Sequence, residues 1–299
     1  MISLIVCSIN KGLLEGLKAS VAETIGVEHE WLIWDNRKSG KGICEVYNHM
    51  AEQAKYPCLC FLHEDLVFKT NGWGKYLLEL FSGTDYDLIG IAGSEYKSKI
   101  FSGWYSGGGA CDYSNIYHRV GNVEYPLSFP EKWPSPERRV VTIDGVFMVC
   151  RKQVWESIKF NEGLLKGFHF YDIDFSIRAA RLFKVGVTRK IDIIHLTVGG
   201  DFGEKWIRDG ILFHESSRSL LPFSVSPLNT KKADLLVGKY WLDWLKNFPI
   251  SFRSRRRWVN CQKLYLVPGL WYSILKFYLY KPLGLQKVHK LITGRLKGK

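Results

Sequence analysis

The chain has 299 residues, 46% hydrophobic, 14% aromatic and 24% charged, with a formal net charge of +13. That usage is globular: it is too apolar and too aromatic for a disordered chain, and long enough for one large core with an appendage or for two modest domains. No run approaches the roughly 18–20 apolar residues of a spanning helix; the longest candidate, 264–275, is broken by Pro268 and Gly269. The opening Met1-Ile2-Ser3-Leu4-Ile5-Val6-Cys7 lacks a basic n-region and a small-residue cleavage site, so it reads as a strand and not as a signal peptide. The seven cysteines are scattered and odd in number, and Cys58-x-Cys60 is too tight for a zinc knuckle. They are expected as reduced thiols in a cytosolic protein.

In chain order, the apolar run 2–8 predicts a buried strand, and 13–25 a helix with Leu13, Leu14, Leu17 and Val21 on one face. A strand over 30–34 ends at Asp35-Asn36, and a Gly-, Ser- and Lys-rich loop fills 37–42. A helix over 43–54 carries Val46, Met50 and Ala54 on one stripe; a strand over 57–62 runs into His63-Glu64-Asp65. A helix over 73–81 and a strand over 87–92 follow. Strand and helix alternating at this spacing make βαβ units and a parallel sheet. Ligands of such sheets bind at the carboxyl ends of the strands, which selects Ser8 to Asn10, Asp35-Asn36 and His63-Glu64-Asp65 as one candidate site.

Residues 93–138 are rich in Gly, Pro, Ser and aromatics and are expected to be a long irregular insertion with Trp104, Tyr105 and Trp133 available to sugar faces. Order returns over 140–151 as strand, Gly-containing turn and strand, then a short helix over 153–158 and a helix over 170–183. Short strands over 185–187 and 191–194 end the body, the latter running into His195.

Asp65 with His63 is a pair that binds a divalent cation, although spacing alone equally fits a solvated acidic turn. His195 is a second imidazole at a strand end, or a hydrogen-bonded structural residue. In Tyr171-Asp172-Ile173-Asp174 the two carboxylates, two apart on a helix, point in different directions and do not share one job. One suits a general base; either also suits the helix N-terminus. Asp35 suits a base or ribose contact, or an Asx turn.

The order of these segments resembles the family-2-like glycosyltransferases of GT-A fold over roughly residues 1–200. In that family the second strand ends in an Asp like Asp35, and an Asn like Asn48 precedes the third strand. An Asp-x-Asp motif follows where this chain has His63-Glu64-Asp65. Asp144-Gly145-Val146 up to Arg151 resembles the acceptor-side loop, Tyr171-Asp172-Ile173-Asp174 up to Arg178 the Glu-Asp-x-Asp-x-x-x-Arg helix, and His195-x-x-x-Gly199 the His that closes the metal site. Two departures stand out: His63 replaces the first Asp, and Tyr171 replaces the Glu.

The resemblance implies an α/β fold with a Rossmann-like, mixed but mostly parallel sheet flanked by helices. It implies an inverting transferase in which Asp65 and His195, with His63 on metal or ribose, hold Mn²⁺ or Mg²⁺. Asp35 and Asn36 would contact the nucleoside, with Ser8 and Asn10 at the neighbouring strand end; Asn48, Asp144 and Gly145 would lie on the substrate side. Asp172 would be the general base, with Asp174 or Arg178 supporting its helix. The donor would be a nucleotide-sugar, UDP-linked in preference, and the acceptor a glycan or a lipid-linked glycan. A nucleotidyltransferase is the alternative within the fold class, but Cys7-Ser8-Ile9-Asn10-Lys11-Gly12 is a poor phosphate loop.

Charge divides the chain. Residues 231–299 hold 16 Lys and Arg against two acids, Asp234 and Asp243, while the rest is nearly neutral. The cations alternate with Trp241, Trp244, Phe248, Phe252, Trp258, Trp271, Tyr272 and Leu275. This mixture is expected of a helical segment lying on an anionic membrane surface; plain packing on the body is the second reading, and nucleic acid is not expected as a partner. The expected organisation is a catalytic domain over 1–204 and a helical, basic-aromatic extension over 205–299, located on the cytoplasmic face of a membrane. A binding protein without catalysis, its tail being its function, is the alternative outside the enzymes.

Overall fold

The computed structural model describes residues 1–107, 111–120, 123–131, 133–196 and 202–280. The expectations placed on Gly199 and on 281–299 lie outside the described residues.

The chain opens as β1 (Ile2–Ser8), α1 (Lys11–Thr24), β2 (His29–Asp35), α2 (Ile43–Glu52), β3 (Cys58–Leu62), β4 (Leu66–Phe68) and α3 (Trp73–Gly83). Next come β5 (Leu88–Gly90), β6 (Ala92–Ser94), β7 (Tyr96–Lys97), β8 (Asp112–Val120), β9 (Val123–Phe129), β10 (Glu137–Arg139), β11 (Thr142–Ile143) and β12 (Phe147–Arg151). The body closes with α4 (Lys152–Ile158), α5 (Tyr171–Ala180), β13 (Val185–Thr188) and β14 (Ile193–His195). Beyond it lie α6 (Glu204–Ser216), β15 (Phe223–Ser224), α7 (Thr230–Leu245), α8 (Phe252–Cys261) and α9 (Trp271–Leu279).

A seven-stranded sheet in the order β10-β13-β5-β12-β3-β1-β2 forms the centre. β1 pairs in parallel with β2 and β3, β5 with β13, and β12 and β10 enter antiparallel, so five of the seven strands run the same way. Alternation along the central strands sorts side chains to the two faces. Ile2, Leu4 and Val6 of β1 and Cys58, Cys60 and Leu62 of β3 pack with Leu14, Leu17, Trp73 and Leu77 of α1 and α3. Ile5, Leu59 and Phe61 turn the other way, onto Val46, Tyr47 and Phe175 of α2 and α5. All seven cysteines are free thiols.

The expected single strand 87–92 is two strands. It ends in the central sheet at Gly90 and restarts at Ala92 in a second sheet, ordered β11-β6-β8-β14-β4 with β9 on β8. A Cβ at Gly90 would lie 2.3 Å from Ile143 Cγ2, so only glycine allows the chain to cross so close to β11.

The insertion 93–138 is not irregular: it supplies β8 and β9, a hairpin of nine and seven residues. Its strand pattern is hidden because β8 buries the polar residues Asp112, Ser114, Asn115 and His118. The Asn115 amide donates to the carbonyls of Arg189 and Ile191 and to Asp192 Oδ1. Trp133, expected on a sugar face, is buried edge-on against Tyr113.

Residues 202–280 do not hang off the body. Trp206, Phe213, Trp241, Leu245 and Trp258 are buried in the same core as Tyr47 and Phe61, with Trp206 and Trp241 stacked at 5.3 Å. Lys97 of β7, fully buried, donates to the Ser102 carbonyl at 2.8 Å and to the ring of His214 on α6 at 2.9 Å, tying the two halves together. No described helix is long and apolar enough to cross a membrane.

Candidate active site

The end of β3 and the second sheet together build a three-residue cluster. Past Leu62, the His63 amide donates to the Val146 carbonyl at 3.1 Å, and Asp65 sits just before β4. β14 pairs antiparallel with β4 so that His195 stands opposite Leu66, and the Leu196 amide closes onto the Asp65 carbonyl at 2.9 Å. Asp65 Oδ2 then lies 3.1 Å from His195 Nε2, and Asp65 Oδ1 4.0 Å from His63 Nδ1. One ligand atom from each of the three residues lies within 4.8 Å of the others.

The hydrogen-bond network sets the tautomer of His63. Its Nε2 is 2.9 Å from the Tyr171 hydroxyl, which is 3.1 Å from the Gly145 carbonyl. A carbonyl only accepts, so the hydroxyl donates to it and accepts from Nε2–H of His63. That leaves the lone pair of Nδ1 on the Asp65 side. Burial and the neighbouring His195 push His63 below the ordinary imidazole range, and burial keeps the Tyr171 hydroxyl protonated. The two departures from the family pattern, His63 and Tyr171, are therefore partners.

Asp172 stands on the first turn of α5, which starts after Phe170 in a left-handed conformation (φ 64°). Its Oδ2 accepts from the Gly145 amide at 2.9 Å. Burial, together with the charge of Asp144, raises its carboxyl to about 7. Asp144 caps its own turn, accepting from the Val146 amide at 2.9 Å. A Cβ on Gly145 would fall 2.1 Å from the Tyr171 hydroxyl and 3.0 Å from Asp172 Cβ, so α5 seats here only against glycine. Asp174 has another job: buried, it takes Nε and Nη2 of Arg178 at 2.9 and 2.7 Å, and Arg178 also holds the Ile158 and Lys159 carbonyls at the end of α4. Asp144, Gly145, Asp172, His63, Asp65 and His195 are thus brought together.

The nucleoside-side residues are placed differently. Ser8 pairs with Asp35 across β1 and β2, but its hydroxyl donates to Glu64 Oε2 at 2.6 Å. Asn10 caps α1, its Oδ1 accepting from the amides of Gly12 and Leu13 at 3.0 and 3.2 Å. Asp35 is exposed and forked onto Arg37, at 2.8 Å from Nε, which lowers its carboxyl to about 2. Asn36 is buried and braces the 37–41 loop through Ser39 and Lys41. Asn48 is taken up by the fold. Its side chain is committed to Phe160, Glu162 and Trp155, stapling α2 to the segment after α4.

Glu64 was not singled out by its residue type, yet it clamps the end of β1 by accepting from the Ser8 hydroxyl and the amides of Ile9 and Asn10 at 2.6 to 3.3 Å. The signal for it was the register: β1 and β3 pair with an offset of 56, and Glu64 is 56 beyond Ser8.

Residues 3–199 match the profile of a family described as glycosyltransferase-like. The chain belongs to this family. Among curated proteins none matches it. Among solved structures, S. aureus TarS 1–349 in complex with UDP is similar at TM-score 0.54 and 13% identity, over 100% of this chain and 92% of that one. GalNAc-T7 with UDP, GalNAc and Mn²⁺ is similar at TM-score 0.51 and 10% identity, over 95% of this chain and 59% of that one. Likeness at such identities speaks for the fold, which is that of the GT-A glycosyltransferases. His63, Asp65 and His195 all lie within the matched residues.

Proposed function

We propose that the protein is an inverting, metal-dependent glycosyltransferase acting on a cytoplasmic membrane face. It would move a sugar from a nucleotide-sugar to a glycan or lipid-linked acceptor in the synthesis of a cell-surface polysaccharide or glycoconjugate. A UDP-sugar is the favoured donor, because the TarS and GalNAc-T7 structures both hold UDP. One observation carries the reading: Asp172, its carboxyl raised to about 7, is joined through Gly145 and Tyr171 to the His63–Asp65–His195 cluster.

Asp172 takes the proton of the acceptor hydroxyl. That oxygen attacks the anomeric carbon from the face opposite the leaving group, the carbon–oxygen bond to the diphosphate breaks, and the configuration inverts. A base whose pKa lies near the working pH is the efficient one, and such catalysis is worth roughly 10²- to 10⁴-fold. Arg178 and Asp174 hold α5 so that Asp172 stays aimed.

His63, Asp65 and His195 fit a divalent cation: the donor atoms converge, Asp65 is buried, and His63 presents Nδ1 unprotonated. Two imidazoles and one carboxylate suit Mn²⁺ better than Mg²⁺, which prefers oxygen ligands. Bound there, the cation would supply positive charge against the departing diphosphate.

The test is a thermal-shift and transfer screen of UDP-, GDP-, dTDP- and CMP-sugars with and without Mn²⁺, since the true donor raises native-state stability by RT ln(1 + [L]/Kd). The expected result is one donor family that stabilises the protein only with Mn²⁺ and yields product of inverted configuration. Full activity in excess EDTA, or a retained configuration, contradicts the mechanism. Release of pyrophosphate in place of a nucleoside diphosphate would identify a nucleotidyltransferase, and a binding protein would lose nothing on Asp172→Asn.

A further inference from the structure

The sequence spreads cations and aromatics evenly over residues 231–280, but the structure sorts them. Trp241, Trp244, Phe248 and Trp258 face inward and are at most 7% exposed. What remains outside belongs to α8, to α9 and to the turn between them. α9 is apolar except for Ser273 and Lys276: Ile274 and Phe277 are buried, while Trp271 (59%), Tyr272 (70%), Leu275 (53%) and Leu279 (72%) stand in solvent, as does Leu266 (66%) on the turn. Scattered exposed apolar residues are ordinary, but a contiguous strip of this kind marks an interaction surface.

α8 lies antiparallel beside α9. Phe252 at its start packs on Tyr278 near the end of α9, with ring centroids 5.4 Å apart. At the other end the Trp271 indole donates to the Tyr265 carbonyl at 2.8 Å. Arg255 turns inward, but Arg253, Arg256 and Arg257 turn outward. With Phe252 and Asn260 they line an open concavity of about 520 Å³. None of the three forms a salt bridge with a described carboxylate, unlike Arg37, Arg119, Arg138 and Arg178 of the body. Lys263 and Lys276 add two exposed cations along the same hairpin.

We propose that the α8–α9 hairpin is the surface by which this protein docks onto an anionic lipid bilayer, Arg253, Arg256 and Arg257 meeting the headgroup phosphates and Trp271, Tyr272, Leu275 and Leu279 entering the interface. Charge and apolarity together choose the occupant. An acidic protein or a nucleic acid answers the arginines but leaves Leu275 and Leu279 in water. A bilayer interface takes both, with the aromatic rings at headgroup level and the cations over anionic lipid. The surface is independent of the catalytic chemistry, although it would bring the enzyme to a lipid-linked acceptor.

The experiment is flotation of the full-length protein with vesicles of neutral phosphatidylcholine, and of phosphatidylcholine with 30% phosphatidylglycerol by design. Three proteins are compared: wild type, the triple variant Arg253→Gln/Arg256→Gln/Arg257→Gln, and the triple variant Tyr272→Ser/Leu275→Ser/Leu279→Ser. All changed residues are exposed, and thermal melts check that each protein folds. Wild type should float with anionic vesicles and not with neutral ones. The arginine variant should lose on the order of 100-fold in lipid partition. The serine variant should keep low-salt binding but lose the part that resists raised salt. Donor hydrolysis in solution should be the same in all three, so a failed docking surface and a failed catalytic assignment give different signatures. Equal vesicle binding by all three proteins overturns the proposal, as does binding lost only on truncation after Tyr280. A dimer that the serine variant abolishes, without vesicle binding by the wild type, assigns the strip to a second copy of the chain and also overturns it.

Discussion

The strand-end site and the α8–α9 hairpin use the same residue types to opposite ends. At the site, charged groups are few, mostly buried and paired: Asp65 with His195, Asp174 with Arg178, and Asp172 held by a backbone amide. At the hairpin they are many and outward, except for one. Arg255 is buried and donates to five carbonyls, those of Lys246, Phe248, Ile250, Phe277 and Tyr280, while Arg256 next to it is exposed and lines the concavity. Composition assigns a charge to a region; only the partner of each group decides whether that charge builds the fold, performs chemistry or recruits a surface.

The largest effects that test this contrast lie at the site. Asp65→Ala should abolish donor-dependent turnover, and Asp172→Asn should lower it at least ~10²-fold with nucleotide binding unchanged, because the amide keeps the bond from Gly145 but takes no proton. Asp174→Asn should instead unfold more readily. Full turnover by Asp172→Asn alongside an inactive, well-folded Asp174→Asn would reverse their roles. Next in size is the pairing of the two departures. Tyr171→Phe removes the acceptor of the His63 proton, and loss of such an orienting partner typically costs 10- to 100-fold in metal affinity. Mn²⁺ titration followed by electron paramagnetic resonance reads this without any turnover, and an unchanged affinity would make Tyr171 a packing residue only.

The two neighbouring arginines give the sharpest comparison of fold against surface. Arg255→Met leaves five carbonyls without their donor and should cost about 2–4 kcal/mol of stability. Arg256→Met, exposed and without such bonds, should stay within about 0.5 kcal/mol. Denaturant melts of the two variants decide it, and equal values would erase the distinction. Asn48→Ala should be smaller in reach. It should destabilise the α2–α4 staple by about 1–3 kcal/mol and leave the Michaelis constant for the donor unchanged. A donor constant raised tenfold in a protein of normal stability would return Asn48 to the substrate side.

Much of this was legible in the sequence, for physical reasons that can be named. Strands β1 and β3 are short apolar runs buried on both faces, and polar residues at their carboxyl ends mark the crevice of an open α/β sheet. That rule selects His63-Glu64-Asp65; His195 enters only as a strand-end imidazole, and its metal role only through the family resemblance. The hairpin β8–β9 did not show itself, because Ser114, Asn115 and His118 are buried in it and break the apolar alternation that announces a strand. Asn48 has the residue type and the position of a ligand contact but spends both ends of its amide on the fold, which no spacing reveals. The same limit applies to Tyr171 and His63, two substitutions 108 residues apart whose common cause appears only when the hydroxyl meets the ring. In the C-terminal helices, the inward turn of Trp241 and Arg255 depends on tertiary packing, to which average charge and aromatic content are blind.

The pH dependence of turnover tests the central claim most directly. Asp172 acts deprotonated, and burial beside Asp144 sets its carboxyl at about 7. With donor and Mn²⁺ at fixed ratio, kcat/KM of the wild type should fall about tenfold per pH unit as pH drops below about 7 and level off above it, while the residual rate of Asp172→Asn should lack that acidic limb. An acidic limb of the same slope and position in Asp172→Asn, or a wild-type profile flat between pH 5.5 and 8 by this assay, would contradict the assignment of Asp172 as the base.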